Sequence, residues 1–372
     1  MRRLAVSRLR PGMRVARPLY SSSGTLLINR GVVLTAGIIR RLVELGVPGL
    51  YIEDGLALDL PVEDVIRDET RLKAVQQVRE LLTAENGAER LQRALVRVEK
   101  IARTIDEIID ELLAKKDLVV NLTDIRTWDD YTFCHSVNVC VLSLLTGLTL
   151  GLSRADLFHL GMGTILHDLG KVKVPRDILN KATRLTDEEF SVIKRHTQWG
   201  YQMAQEIATV SRLAATIPLQ HHERYQGQGY PGGLQGAEIH DLAAICGIAD
   251  VFDALTADRI YRPAVPVHEA YEYLAATGGY LFDYRLVRAF LENVAPYPAG
   301  TLVRLSTGEV ALVVGTRRGK PKCPLVRVFL AADGRRLAPY ELDLAEETQV
   351  YIGEVIPGDQ FLHSTTVEGS PD

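Results

Sequence analysis

The residues best suited to chemistry are an adjacent histidine and aspartate, His167 and Asp168, in the run GMGTILHDLGKVKVP. The histidine offers a neutral imidazole nitrogen and the aspartate a hard carboxylate oxygen, so the pair suits a divalent metal, and the aspartate can bridge to a second ion. By itself such a pair is more often a capped, solvated helix end. Its meaning therefore depends on the residues that accompany it.

Other imidazoles and carboxylates occur in or at the end of apolar, helix-like segments, where an unpartnered polar group is costly. A single buried histidine is usually a core residue that donates to a carbonyl. A set on several segments indicates side chains that converge inside a helical bundle, a recurrent way to build a two-metal site. Imidazoles and carboxylates without thiolates suit iron or manganese, and zinc less well. Besides the first pair, the set consists of His135, His196, His221, His222 and Asp250.

The residues around this set suggest a phosphate-containing substrate. The loop GQGYPGG contributes Gly229, Tyr230 and Pro231. Its small residues allow a ligand to approach the backbone, and the tyrosine can stack on it. Arg259 and Arg262, one helical turn apart, can both face one phosphate, and Lys171 lies just past the HD pair. Metals and cations around a phosphoryl group indicate phosphodiester hydrolysis.

The ordered set HDLGK, HHERYQGQGYPGG and ADVFDALTADRIYR resembles the HD-GYP family, a branch of the HD phosphohydrolases that hydrolyses cyclic di-GMP. The resemblance covers about residues 118–295. It implies that Asp168 bridges two ions, that Lys171 assists at the phosphate, and that Tyr230 and the two arginines bind the cyclic dinucleotide. The metal ligands it implies are His135, His167, Asp168, His196, His221, His222 and Asp250.

By that resemblance, a metal-bridging hydroxide attacks phosphorus and opens cyclic di-GMP to linear pGpG, and a second cut would give GMP. Some family members carry a glutamate, which helps to hold a third metal, four residues before the first histidine. Here that position is Tyr131. A tyrosine hydroxyl stays protonated near pH 7 and is a poor ligand for a hard ion. We therefore expect two metals and pGpG as the main product.

Two other functions stay open. One is a domain that binds cyclic di-GMP without cleaving it and reports it to a partner. The other is an HD-type phosphohydrolase that acts on monomeric nucleotides or on guanosine tetraphosphate. The complete ligand set argues against the first, and the GYP loop with its paired arginines argues against the second. Cyclic GMP-AMP is an alternative substrate. The residues named would contact phosphates and the face of a purine, and none of them would distinguish guanine from adenine by hydrogen bonds to the edge of the base.

The predicted fold class is mainly α, an HD-type helical bundle with two small flanking modules. Residues 1–60 predict an α+β module that is regulatory or a packing unit. It has strands at 14–20, 26–29, 32–34 and 47–52 and a helix over 38–45 capped by Thr35. Residues 296–363 predict a small β-barrel or sandwich, with strands at 301–305, 310–315, 325–329 and 350–352. Residues 364–372 are expected to be a flexible tail.

Residues 61–117 predict a helical linker with an apolar seam in its second half. The seam residues, in alternating steps of three and four, are Leu91, Ala94, Val98, Ile101, Ile105, Ile108 and Leu112. Three heptads are the lower limit for a coiled coil. The seam therefore favours neither of two interpretations over the other, a homodimer through residues 91–112 and packing within the chain.

The composition is that of an ordinary globular protein, with 372 residues, 47% hydrophobic and 24% charged, and a net charge of −4. That charge gives no reason to expect a nucleic-acid polymer as partner. The four cysteines form no CxxC pair and indicate a cytoplasmic protein, and no apolar signal segment opens the chain. The uncharged stretch 131–153 contains polar residues such as His135 and predicts a buried helix rather than a membrane span.

Overall fold

The N-terminal module forms around a three-stranded antiparallel sheet. The structure, a computed structural model, describes residues 2–21, 25–47, 49–53, 65–83, 90–115, 131–181, 183–257 and 264–356. The module's sheet has the order β1-β5-β2, and a second antiparallel pair joins β3 to β4. Helix α1 packs against them. The elements are β1 Arg2–Ala5, β2 Arg14–Val15, β3 Leu19–Tyr20, β4 Leu26–Ile28, α1 Ala36–Glu44 and β5 Gly49–Glu53.

The Thr35 cap of α1 is confirmed, because its hydroxyl accepts a hydrogen bond from the Ile38 backbone N–H at 3.2 Å. The prediction of a strand at 32–34 is wrong. Val33 makes only an isolated bridge to Arg14, since the segment turns into the cap of α1 one residue after Leu34. The N-terminal strand β1 was not predicted.

Helices dominate the described residues between 65 and 294, and all but two short ones, at 176–179 and 187–194, share one hydrophobic core. They are α2 Asp68–Leu82, α3 Arg90–Ala114, α4 Tyr131–Thr149, α5 Arg154–Ile165, α6 Arg176–Leu179, α7 Asp187–Lys194, α8 His196–Gln205, α9 Arg212–Gln220, α10 Asp241–Thr256, α11 Val267–Thr277 and α12 Tyr284–Leu291. A short 3-10 turn, Leu169–Lys173, lies between α5 and α6. Helices α2 and α3, predicted as a linker, bury their apolar faces in the same core as α4 and α5.

The apolar seam of α3 packs within the chain. The seam residues whose side chains the structure describes are at most 3% exposed and lie in the helical core. They are Val98, Ile101, Ile105, Ile108 and Leu112. The side chains of Leu91 and Ala94 lie outside the described set. Helix α4 is a buried core helix, as the sequence predicted. In the part of the chain that the structure describes, no helix combines the length and the apolar character needed to span a membrane.

Five strands after the helices form a single antiparallel sheet, in the order β10-β6-β7-β8-β9. Valines from three of the strands form its core. Strand β9 was not predicted, because it includes a proline, which argues against a strand. The predicted tail, 364–372, lies outside the described residues. The strands are β6 Leu302–Leu305, β7 Val310–Gly315, β8 Leu325–Leu330, β9 Arg336–Asp343 and β10 Ile352–Val355.

Candidate metal centre

The seven residues predicted as metal ligands meet at one place in the helical core. They come from the ends or the inner faces of five segments, so residues far apart in sequence become neighbours. His135 lies on α4, His167 and Asp168 follow α5, His196 begins α8, His221 and His222 follow α9, and Asp250 lies on α10. All but His222 and Asp250 are buried, and those two are half-buried.

Asp168 lies between two sets of histidines. Its carboxylate is 2% exposed. The Oδ1 atom lies 3.5 Å from Nε2 of His196, whereas Oδ2 lies 3.4 Å from Nε2 of His167 and 4.0 Å from Nε2 of His135. The two oxygens of one carboxylate therefore face different imidazoles, which is the arrangement that a bridging ligand requires.

The remaining ligand atoms form two groups, and a third group, His167, Asp168 and His221, links them through Asp168. In each group the atoms lie within 4.8 Å of one another. In the first, Nε2 of His135 lies 3.1 Å from Oδ1 of Asp250. In the second, Nε2 of His196 lies 3.4 Å from Nε2 of His221. The first group is His135, His167 and Asp250, and the second is His196, His221 and His222.

Backbone carbonyls fix the orientation of three imidazoles. A carbonyl only accepts, so the Nδ1 atom that faces it carries the proton and Nε2 keeps its lone pair. The lone pairs are thereby directed at one another and at Asp168. The donations are from His167 to Thr164 at 2.7 Å, from His196 to Ile193 at 2.7 Å, and from His221 to Pro218 at 2.9 Å.

This geometry fits a bound cation. The Nε2 atom of His167 and Oδ1 of Asp168 are buried and find no hydrogen-bond partner among the described residues. Buried polar atoms are nearly always partnered. Acceptor atoms that face each other at 3.4–3.5 Å repel one another unless a positive ion lies among them. The donor set of imidazoles and carboxylates is the one that iron and manganese prefer.

The surroundings also hold these groups in the protonation state that metal binding requires. Burial lowers the pKa of His222 to about 3 and holds the pKa values of His196 and His221 below the ordinary value of 6.5. Burial opposes ionisation of Asp168, but Lys171 and His167 outweigh it, and its pKa lies well below 3.8. These imidazoles are therefore neutral and this carboxylate is ionised near pH 7.

Lys171 and Gly170 shape the turn that follows the HD pair. The Lys171 Nζ atom donates to Asp168 Oδ2 at 2.6 Å, and its side chain is 32% exposed, so the cation stands between the centre and solvent. A side chain at Gly170 would collide with the carbonyl oxygen of His196. Glycine at this position lets the turn that carries Asp168 lie directly against α8.

Tyr230 contacts the metal centre directly. Its ring stacks on His222, with centroids 4.7 Å apart and planes 28° apart. Burial raises the pKa of the Tyr230 hydroxyl above its ordinary value of 10, so the group stays protonated. The predicted Tyr230 thus lies beside His222, with Gly229 and Pro231 next to it in the chain, and a side chain at Gly229 would collide with the backbone of Glu223.

Glu223 holds the GYP loop in place and was not predicted. It is buried, and its two carboxylate oxygens accept hydrogen bonds from the backbone N–H groups of Gly232 at 2.6 Å and Leu234 at 3.0 Å. The only sequence signal was its place next to the histidine pair. A loop this rich in glycine needs such an anchor to present Tyr230 in one position.

Two residues of α7 extend the Tyr230 surface and were also not predicted. The Lys194 Nζ atom lies 4.7 Å from the centroid of the Phe190 ring and 5.5 Å from that of Tyr230. The Phe190 ring stands edge-on to Tyr230, 6.4 Å away, and is 42% exposed. Their spacing of four residues on an amphipathic helix is a weak signal, because it is equally typical of an ordinary surface pair.

Asp253 is a further residue that the prediction missed. Its carboxylate is fully buried, and Oδ2 accepts a hydrogen bond from Nδ1 of His135 at 2.7 Å. Nε2 of His135 is thereby turned toward the cluster, as a metal-binding histidine requires. The available signal was its position one helical turn after Asp250. The predicted Arg259 and Arg262, and the side chain of Tyr131, lie outside the described residues.

Comparison with known proteins agrees with this architecture. A model of the HD domain family matches residues 108–286, and a model described as a KOW domain associated with HD domain matches residues 302–364. The cyclic di-GMP phosphodiesterase PA4108 of Pseudomonas aeruginosa is 31% identical, over 92% of this chain and 88% of its own length. A cyclic di-GMP phosphodiesterase of Thermotoga maritima is 34% identical, over 54% of this chain and 55% of its own.

Relatives with another printed substrate also match. The 3'3'-cGAMP-specific phosphodiesterase 3 of Vibrio cholerae is 37% identical, over 38% of this chain and 30% of its own length. Among solved structures, the HDG"Y"P protein Bd1817 of Bdellovibrio bacteriovorus matches with a TM-score of 0.46 at 19% identity, over 78% of this chain and 98% of that one.

Proposed function

We propose that this chain, which belongs to the HD-GYP family of HD-domain cyclic di-GMP phosphodiesterases, hydrolyses cyclic di-GMP to linear pGpG with the help of two divalent ions. The observation that carries the proposal is the position of Asp168, whose two oxygens face different histidines in a cluster of opposed acceptor atoms.

The two groups that Asp168 links are the proposed ion sites. The first would be held by His135, His167 and Asp250, and the second by His196, His221 and His222, with Asp168 shared. Iron or manganese suits this donor set. When bound, two such ions supply an activated water molecule as nucleophile and polarise the scissile phosphate.

The chain's own residues would bind and orient the substrate around that centre. Lys171, at the rim, would donate from Nζ to a non-bridging oxygen of the scissile phosphate, which it can reach by leaving Asp168. Tyr230 would stack against a purine ring and keep water from one side of the centre, with Gly229 and Pro231 beside it. We propose that Arg259 and Arg262 bind the second phosphate. Phe190 and Lys194 would extend the same binding surface.

Cyclic GMP-AMP is the second candidate substrate, favoured by the matches to Vibrio cholerae phosphodiesterases named for 3'3'-cGAMP. Rates on the two dinucleotides, measured side by side, separate the two candidates. A binding module that does not cleave cyclic di-GMP, and an HD-type phosphohydrolase of mononucleotides or of guanosine tetraphosphate, are less favoured. A binding module would not need the complete set of metal ligands. A phosphohydrolase of small nucleotides would not need a binding surface that extends from the metal centre past Tyr230 to Phe190 and Lys194.

The deciding experiment is metal analysis of protein purified without oxygen, followed by chromatography of the products from cyclic di-GMP. We expect about two iron or manganese ions per chain and accumulation of pGpG. His167→Ala and Asp168→Ala should abolish both metal binding and turnover. Full turnover in these variants, or metal-loaded wild-type protein without turnover, would contradict the proposal.

The flanking modules fit a regulated enzyme. We propose that the N-terminal module and the C-terminal sheet carry an input signal, whose nature the sequence does not name. A homodimer through residues 91–112 and a cytoplasmic location stay predictions of the sequence. The buried face of α3 is already occupied by this chain's own core, so a dimer would have to use the opposite face.

A further inference from the structure

A charged side chain is buried on the mostly apolar inner face of α2. Arg71 is 8% exposed, and it lies on the same buried face as Ala74, Val75 and Val78. Desolvating a guanidinium is expensive unless its donors are satisfied. Its Nη1 atom donates to the side-chain oxygen of Asn138 on α4 at 2.9 Å. This contact is the first of a continuous series that ends at the metal centre.

Asn138 passes the contact on to Asp253. Its Nδ2 atom donates to Oδ1 of Asp253 at 3.1 Å, while Oδ2 of the same carboxylate accepts from Nδ1 of His135 at 2.7 Å. The orientation of the amide is determined chemically. An arginine only donates and an ionised carboxylate only accepts, so the Asn138 oxygen faces Arg71 and its nitrogen faces Asp253. The four side chains therefore form a continuous series in which Arg71 donates to Asn138, while Asn138 and His135 both donate to the Asp253 carboxylate.

We propose that Arg71 and Asn138 are positioning residues for the metal centre. Through Asp253 they fix the tautomer and the ring orientation of His135, and so set the affinity of the ion site that His135 shares with His167 and Asp250. This inference rests on the proposed two-metal function. It goes beyond it by assigning a role to α2, which lies outside the HD, GYP and metal-ligand motifs.

The series begins on a helix that also contacts the N-terminal module, and it reaches only one of the two ion groups. Asp68, three residues before Arg71 in the first turn of α2, pairs with Arg17 of the N-terminal module at 3.0 Å and 3.2 Å. The helix that carries Arg71 therefore also makes an ion pair with the N-terminal module. In the second ion group, Nδ1 of His196 and Nδ1 of His221 each donate to a backbone carbonyl, and the His222 ring stacks on Tyr230. None of these contacts involves Asp253. Changes at Arg71 should therefore affect one ion site and spare the other.

The test uses the full-length, metal-stripped protein titrated with Mn²⁺ by calorimetry. Arg71→Met and Asn138→Ala should weaken one of the two sites about 10- to 100-fold, the usual effect of losing the partner that orients a metal ligand, and leave the other unchanged. Arg71→Lys, which keeps a donor, should recover most of the loss. Val75→Ala is the matched control, because it opens a cavity one turn further along the same buried face without touching the hydrogen bonds.

A second measurement requires no metal. Nitrogen-15 NMR of the imidazoles in the metal-free protein should show Nδ1 of His135 protonated in the wild type and in Val75→Ala, and only partly protonated in Asn138→Ala and Arg71→Met. If the wild type binds no Mn²⁺ but the two variants still differ from it in this NMR signal, the proposed function is wrong and the positioning role is kept. Unchanged tautomer and unchanged Mn²⁺ affinity in both variants would overturn the positioning role alone.

Discussion

The Tyr230 ring stacks on the imidazole of His222, 4.7 Å from centroid to centroid. One face of a proposed metal ligand is therefore covered by the aromatic residue that we expect to receive the substrate. The GYP loop and the metal centre form one surface, although His222 and Tyr230 are eight positions apart in the chain. Loss of either ring should consequently affect substrate binding as well as the metal.

Replacing Tyr230 tests the stacking role. Tyr230→Ala should raise KM for cyclic di-GMP about 10- to 100-fold, because a stacked base contributes on the order of 1–3 kcal/mol. Tyr230→Phe keeps the ring and should stay within about threefold of wild type. Metal content, measured on the same preparations, should not change in Tyr230→Phe. Equal losses in the two variants would assign the effect to the hydroxyl instead.

Phe190 and Lys194 should act on substrate affinity alone. Their position beside Tyr230 predicts that Phe190→Ala and Lys194→Ala each raise KM about 3- to 30-fold, the range expected for losing a cation–π or stacking partner. Initial rates over a range of substrate concentrations separate KM from kcat. Arg195→Ala, an exposed neighbour whose guanidinium lies over Trp199 instead, is the control. A fall in kcat with KM unchanged would contradict the assignment.

The metal-free protein should lose stability as the pH falls. Burial lowers the pKa values of His196, His221 and His222, so the unfolded chain binds more protons than the folded chain below pH 6.5. The stabilisation is complete above pH 6.5 and declines toward pH 3, by about 1.4 kcal/mol per pH unit for each titrating group. Urea unfolding at pH 7.5, 6.0 and 5.0 measures it.

Removal of one histidine provides the control for that slope. His222→Gln should reduce the slope of unfolding free energy against pH by about 1.4 kcal/mol per pH unit, the contribution of one titrating group. The depressed pKa values of Asp168 and Asp250 add a loss of the same sign below their ordinary value of 3.8. Stability that is constant from pH 7.5 to 5.0 would show that the imidazoles take up protons as readily in the folded protein as in the unfolded chain.

The close contact at Gly170 predicts a costly substitution. In Gly170→Ala the new methyl group would meet the His196 carbonyl, so Asp168 and His196 must move apart. We expect a loss of about 1–3 kcal/mol in unfolding free energy and weaker metal binding. Gly37→Ala, in α1, meets nothing closer than 3.8 Å and should be neutral or stabilising. Thermal melts with and without Mn²⁺ compare the two variants.

Tyr131 is predicted to limit the enzyme to two ions. Tyr131→Glu places a carboxylate where some family members hold a third metal, so it should raise the metal content to about three ions per chain and shift the product from pGpG to GMP. Chromatography of a time course measures the shift. Tyr131→Gln, of the same length but uncharged, should leave pGpG as the product. GMP as the main product of the wild type would contradict the prediction.

The sequence by itself determined the residue types of the site and most of the local structure. The ordered motifs nominated His167, Asp168 and the other ligands, and Thr35 marked the start of α1. These are local properties, since a cap, a turn or a ligand type depends on a few adjacent residues. The strand at 32–34 failed because β-propensity cannot tell a strand from an extended segment that pairs at one point.

Only the tertiary structure decided how the ligands divide and what supports them. No spacing along the chain places Asp168 between two histidine groups, or joins Arg71 to His135 through Asn138 and Asp253, because those contacts span 67 and more residues. The α3 seam gives the same lesson. A heptad pattern records that one face is buried, but the pattern is identical whether a second copy or the chain itself covers that face, and here the chain's own helices cover it.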